Sequence, residues 1–338
     1  MKLRFFHLLF LWLLVYFSFG QILPEPGAKL NYTQIMFEHP QLTGADEYLV
    51  QVIPDEKNFS FEHPAFSHRD SSTATMISNF EFGKKYVWRY AGLNNGKELG
   101  WHGPYKFEIL SDIYVNKKFC RVRILQNDSL ANAGGLISLD MAHTVIDRQG
   151  NFVWFLPPDS GTHEQRDTAR HPVPVLNDLY ITPFGTVTSI NGARDEAEER
   201  DLRGKILWQA PPRSAFSEDS SNIDPPYDYH HCFKRLSSGN YVVMDRINVS
   251  KLVPGDTMNV LVASEILREL DAKGSLVWSW SSENYFDTAE LKKMIRSEPD
   301  PAVLNPTPGG HMNAFDVDEK NGFVYAGFRN VSRVIKID

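Results

Sequence analysis

Cysteine is nearly absent from this chain: its 338 residues include two, Cys120 and Cys232. So few exclude a disulfide-dense scaffold, and stability has to come from hydrophobic cores, with two unpaired buried thiols as the expectation. An excess of positive charge is missing as well. Lys and Arg number 35 against 42 Asp and Glu, a formal net charge of −7, which argues against the basic face that nucleic acid binding needs. An anionic small molecule would therefore need a local positive site. Metal-ligand clusters are lacking too: His143, His163 and His171 are scattered, no zinc-like spacing occurs, and neither a metal nor another cofactor is expected.

The amino terminus carries Lys2 and Arg4, an apolar run from Phe5 through Phe19, then Gly20. This is the pattern of a secretory signal peptide over residues 1–21, cleaved near Gly20. No basic stop-transfer flank and no cysteine follow it, and a Pro-rich polar stretch opens at Pro24. The expectation is a secreted or periplasmic protein with no membrane anchor once the signal is removed.

Residues 22–110 read as short alternating segments such as Tyr48-Leu49-Val50-Gln51-Val52-Ile53 and Lys85-Tyr86-Val87-Trp88-Arg89-Tyr90, separated by Gly, Pro, Asn and Asp clusters. That alternation predicts a β-sandwich, fibronectin III/immunoglobulin-like, with Trp88 in its core and a supporting or interacting role. Residues 111–338 contain a repeat. Asp147-Arg148-Gln149-Gly150-Asn151-Phe152-Val153-Trp154 returns as Asp201 to Trp208 and again as Asp271 to Trp278. Each unit is a tight turn, with glycine supplying positive φ, feeding a strand that ends in Trp. Turn-strand pairs repeated at such intervals suit the blades of a β-propeller. The charged run Arg194 to Arg203 is expected on the solvated outer surface, and Phe286 to Met294 as one short helix.

Two polar constellations stand at strand entrances. Tyr227-Asp228-Tyr229-His230-His231-Cys232-Phe233 runs into the Leu236 to Met244 turn and strand, and strand alternation predicts that one histidine of the pair faces the channel. Gly309-Gly310-His311-Met312-Asn313 sets His311 and Asn313 two apart, on a shared face, and the turn at Asn321-Gly322 returns Arg329 toward His311. Histidine, amide and guanidinium at a channel mouth can form an oxyanion site, since Arg presents a planar fork of donors and His can act as nucleophile, acid or base, or the same side chains can satisfy buried carbonyls in a wet channel.

The order of His230-His231-x-Phe233, Asp271 to Trp280, His311-x-Asn313-Ala-Phe-Asp and Phe328-Arg329-Asn330-x-Ser332 resembles the arylsulfotransferase family from about Phe119 onward. The resemblance implies an all-β fold: a β-sandwich followed by a β-propeller of the six-bladed type. It also implies sulfuryl transfer from a phenolic sulfate ester to a phenol through a sulfated histidine, with no nucleotide sulfate donor. His230, His231, His311, Asn313 and Arg329 would bind and polarise the sulfate and assist proton transfer. It further implies a nucleophilic histidine in a later blade, in a Gly-Gln-His-type segment; this sequence has none and reaches Asp338 in what reads as mid-strand. An incomplete propeller of three or four blades is thus the expectation, with an inactive or fragmentary product, a homodimer, or a separate carboxy-terminal piece as its consequences. The alternative is a non-enzymatic secreted module binding a phenolic or sulfated ligand or a partner protein. Sulfate ester hydrolysis is a third reading, but the Cys/Ser-x-Pro-x-Arg motif and metal cluster usual in sulfatases are absent from the sequence.

Overall fold

The computed structural model describes residues 21–57, 59–115, 120–126, 135–157, 176–191, 196–216, 229–252, 255, 257, 259–294 and 310–338. The amino-terminal apolar run, His163, His171, Tyr227, Asp228 and Gly309 lie outside these residues. The chain divides into two compact units, one ending at Leu110 and one beginning at Ser111. Among the described residues no helix is long and apolar enough to cross a membrane.

In the first unit, β1 (Ala28–Leu30), β3 (Glu47–Pro54), β4 (Phe66–Asp70), β6 (Lys85–Asn94) and β7 (Lys97–Ile109) form one sheet in the order β1-β7-β6-β3-β4. A second sheet pairs β2 (Ile35–Glu38) with β5 (Ala74–Ile77). The alternation in β3 buries Tyr48, Val50 and Val52, whereas central β6 is buried along most of its length. Both sheets contribute to one core, in which Trp88 is fully buried and meets Phe37 edge-on at 5.2 Å. Aromatic pairs in this geometry add about 0.5–1.5 kcal/mol beyond area burial.

The second unit holds four antiparallel sheets in chain order. The first joins β8 (Leu136–Leu139), β9 (Thr144–Asp147) and β10 (Phe152–Phe155). The second runs β11 (Leu176–Ile181), β12 (Thr186–Asn191), β13 (Glu196–Asp201), β14 (Ile206–Gln209). The third runs β15 (Phe233–Arg235), β16 (Tyr241–Lys251), β17 (Val260–Leu270), β18 (Leu276–Ser281). The fourth joins β19 (Met312–Asp318), β20 (Phe323–Phe328) and β21 (Arg333–Ile337), after a short helix α1 (Thr288–Met294).

The sequence repeat is one turn made three times. Asp147, Asp201 and Asp271 each accept two backbone N–H groups on Oδ1, from the residues two and four positions on, at 2.8–2.9 Å. Gly150, Gly204 and Gly274 take φ values of 82°, 92° and 82°, where a side chain would be strained. Replacing Asp201 by Ala removes two acceptors from one tight turn and should lower the stability of this unit by about 1–2 kcal/mol. Urea unfolding followed by tryptophan fluorescence checks this; an unchanged midpoint would contradict the role given to the turn.

The tryptophans that follow these turns tie each sheet to the next. Trp154 Nε1 donates to the Leu202 carbonyl at 2.7 Å, and Trp208 stacks on Tyr241 at 3.8 Å. In the third copy the repeat's own Trp278 is half-buried, and the buried contact with the fourth sheet, through Phe328 at 6.2 Å, is made by Trp280. The charged run departs from expectation. Within it Glu198, Glu199 and Arg200 are at most 1% exposed, because β13 is an interior strand whose charges are paired. Arg200 donates to Glu198, while Arg235 and the Tyr241 hydroxyl both donate to Glu199 at 2.5 Å. Both cysteines are free, Cys120 buried and Cys232 half-buried.

Candidate functional site

Five residues other than glycine adopt positive φ at or just before strands of the four sheets: His143 (51°), Asp178 (54°), His231 (59°), His311 (49°) and Ser332 (50°). Such backbone is uncommon away from glycine and persists where surrounding bonds over-determine it. At His231 the bonds are visible. The Cys232 N–H donates to the His230 carbonyl at 2.7 Å, closing a three-residue turn with His231 at its apex, and the His230 N–H donates to the Met244 carbonyl at 3.1 Å. The next residue is pinned from the second sheet, where the Asp178 carboxylate accepts the Phe233 N–H at 2.7 Å. Asp178 in turn donates its own N–H to Asp140 at 3.1 Å. On the other side the Cys232 thiol donates to the Phe315 carbonyl at 3.6 Å. One polar contact per step thus links all four sheets beside the histidines.

Because His231 lies in a turn rather than in an extended strand, the alternation expected for the pair does not hold. Both rings enter one cluster: the Nδ1 atoms of His230 and His231 are 2.9 Å apart, and His231 meets His311 edge to face at 5.1 Å. His311 precedes β19, and a register shift between Met312 and Ala314 interrupts that strand, so Asn313 lies on its exposed side without the regular two-residue relation to His311. Arg329 is exposed, and its N–H donates to the His311 carbonyl at 3.0 Å, which fixes the two backbones together. Among the described residues Arg329 carries no carboxylate partner.

Two residues that sequence reasoning missed complete the cluster. Glu265 on β17, 1% exposed, brings Oε2 within 3.3 Å of His230 Nε2, and Arg246 stands directly opposite Glu265 on β16. The signal that could have found them is a charged residue in the middle of each long apolar strand. Asp178 was equally silent in the sequence.

Electrostatics disfavour the charged forms of His231 and His311. Burial lowers the His231 pKa to about 4, reinforced by His230, His311 and Arg246 and opposed by Glu265. More than a third of His231 remains open to solvent, which screens part of this effect. Burial also lowers His311, with Arg329 acting in the same direction. The Cys232 thiol is pushed up to about 11 by burial and by Asp178, so it is no thiolate nucleophile at neutral pH.

Between pH 6.5 and about 4 the unfolded chain protonates His231 while the folded chain does not, so stability falls as pH drops through that window. Replacing His231 by Gln should flatten that part of the stability curve, measured by urea unfolding at pH 7 and pH 4.5. Parallel losses in both proteins would contradict the lowered pKa.

A cavity of about 360 Å³ opens elsewhere, between Leu236, Val242, Trp278, Val317 and Val324. None of the clustered histidines lines it, and its chemistry is apolar with carboxylates at the rim, unsuited to an anion. Among the described residues no group of three or more side chains could hold a metal ion.

These features define an all-β protein with a cluster of three histidines flanked by arginines. The chain belongs to the arylsulfotransferase family: the family model described as Arylsulfotransferase (ASST) matches residues 136–338. A search of curated proteins finds no match. Among solved structures, an exotype rhamnogalacturonan lyase, YesX, matches at 12% identity over 93% of this chain, with a TM-score of 0.27. This chain spans 51% of that one, and at such a score the likeness carries no argument.

Proposed function

We propose that this chain acts as an aryl sulfotransferase, moving a sulfuryl group from a phenolic sulfate ester to a phenol without a nucleotide donor. The observation that carries the reading is the contact of His230, His231 and His311 beside an arginine that has no carboxylate partner among the described residues, in a member of this family. In the first displacement a neutral imidazole nitrogen attacks sulfur. An N–S bond forms, the S–O bond to the phenol breaks, and the departing oxygen takes up a proton. In the second, the acceptor phenol attacks sulfur, loses its proton and releases the histidine. His311 is the nitrogen we assign to sulfur, since lowering its pKa keeps its lone pair available. Arg329, with Asn313 two residues after His311, bears on the sulfate oxygens, where charge-assisted donors are strongest. The four successive sheets are read as propeller blades and the first unit as a supporting sandwich. The reading carries with it a secreted or periplasmic location.

The test is release of a chromogenic phenol from its sulfate ester with and without a second phenol. Release that depends on the acceptor, with the sulfated acceptor as product, is the expected result. Release unaffected by the acceptor would make the protein a hydrolase, and no release from a folded sample would leave ligand binding alone.

A further inference from the structure

Glu265 has no assigned role, and its situation is unusual. Its carboxylate is 1% exposed, yet Oε2 forms no hydrogen bond among the described residues, and the same holds for His230 Nε2, 3.3 Å away. Two bare acceptors would repel at that distance, so Nε2 of His230 has to carry the proton that faces the carboxylate. With its single ring proton placed there, His230 has its lone pair on Nδ1. The facing atom, His231 Nδ1 at 2.9 Å, must then be the donor, which leaves the lone pair of neutral His231 on Nε2. One carboxylate therefore sets the tautomers of two rings in series.

We propose that Glu265 is a positioning residue that, through His230, holds His231 with a bare Nε2 ready to take the proton of the acceptor phenol. The inference rests on the transferase reading above. The phenol oxygen gives its proton to His231 Nε2 as its bond to sulfur forms. The imidazolium so created is stabilised through His230 by the Glu265 carboxylate. No oxidant or further reactant is needed. The charged and titratable groups that bear on His231 are His230, His311, Glu265 and Arg246, and Arg329 bears on His311. Of these Glu265 is the single anion, so its charge opposes the combined effect of burial and the cations. The arrangement parallels the carboxylate behind the histidine of serine hydrolases, with a second imidazole inserted between them.

The experiment uses the full chain in two measurements. Nitrogen-15 NMR of labelled histidines at pH 7.5 should show His230 protonated on Nε2 and His231 on Nδ1, with both assignments lost or mixed in Glu265→Gln. Kinetics of the same proteins should show kcat for transfer reduced on the order of 10²-fold in Glu265→Gln. The acid limb of its kcat profile should move to lower pH, because the anion that favours the imidazolium is gone. Glu265→Asp should recover part of the rate. A merely structural role would lower the amount of active protein without moving the limb. Should Glu265→Gln fail to fold, Glu265→Asp and the tautomers of the parent protein still decide. His230 found protonated on Nδ1, or a limb unmoved in a folded variant, would overturn the proposal. If the parent protein has no transfer activity, the proposed function fails, while the NMR result still judges the tautomer chain.

Discussion

Replacing Arg329 by Ala should lower kcat/KM for sulfuryl transfer about 10²–10³-fold, the loss usual when one oxyanion donor is removed from a site. Arg329 is held by its backbone, through the bond from its N–H to the His311 carbonyl, so truncating the side chain leaves the turn in place. The guanidinium is exposed and, among the described residues, has no competing carboxylate, so the fold should lose little stability. Arg329→Lys should recover part of the activity but not the bidentate grip, since an ammonium is a point charge without a planar fork. His311→Ala should be harsher, because on our reading it removes the atom that bonds to sulfur. Steady-state kinetics with a chromogenic sulfate ester check both, and an Arg329→Ala enzyme within threefold of the parent would contradict the site.

Replacing Glu199 by Ala should give a large loss of stability outside the hydrophobic cores. Its two carboxylate oxygens receive Arg235 and the Tyr241 hydroxyl, both at 2.5 Å, across the second and third sheets. Breaking a buried ion pair by removing one partner costs about 3–5 kcal/mol, and Arg235 is 25% exposed, which brings the expected cost to about 2–4 kcal/mol. For a unit of this size that corresponds to a fall in Tm of roughly 5–10 °C. Glu199→Gln, which keeps an acceptor for the tyrosine, should lose less. Thermal unfolding by near-UV circular dichroism checks the pair, and a Glu199→Ala protein melting with the parent would contradict the inter-sheet role.

The contrast between these two regions explains what was legible in the sequence. The Asp-x-x-Gly turns could be read because their bonds close within four residues, from Asp201 to Lys205 for example, and need no tertiary partner. The strands of the first unit were legible for the same reason, through the alternation that buries Val50 and Val52. Glu199 was misread as surface because its partners, Arg235 and Tyr241, lie in another sheet. A local run of charge carries no record of where its counter-charges fold.

The site divides along the same line. His230, His231, His311, Asn313 and Arg329 were named from their order in the chain, and the structure joins the histidines and ties Arg329 to His311. The expected alternation of His230 and His231 failed because the turn at His231 is held by Asp178 through Phe233, a contact from a different sheet. Glu265 was invisible for want of any local motif. Its meaning comes from a 3.3 Å approach to His230 that depends on the pairing of β16 with β17 and on the turn before β15.

The measurement that bears most directly on the central claim is the capture of a sulfated histidine. The full chain, mixed with an aryl sulfate and no acceptor, should gain one sulfuryl group by mass spectrometry, located on the peptide that contains His311. Added phenol should then discharge it as the sulfated acceptor. A folded protein that turns over the ester without acquiring that label, or that stays labelled when phenol is added, would contradict the double displacement and the role of the histidine cluster.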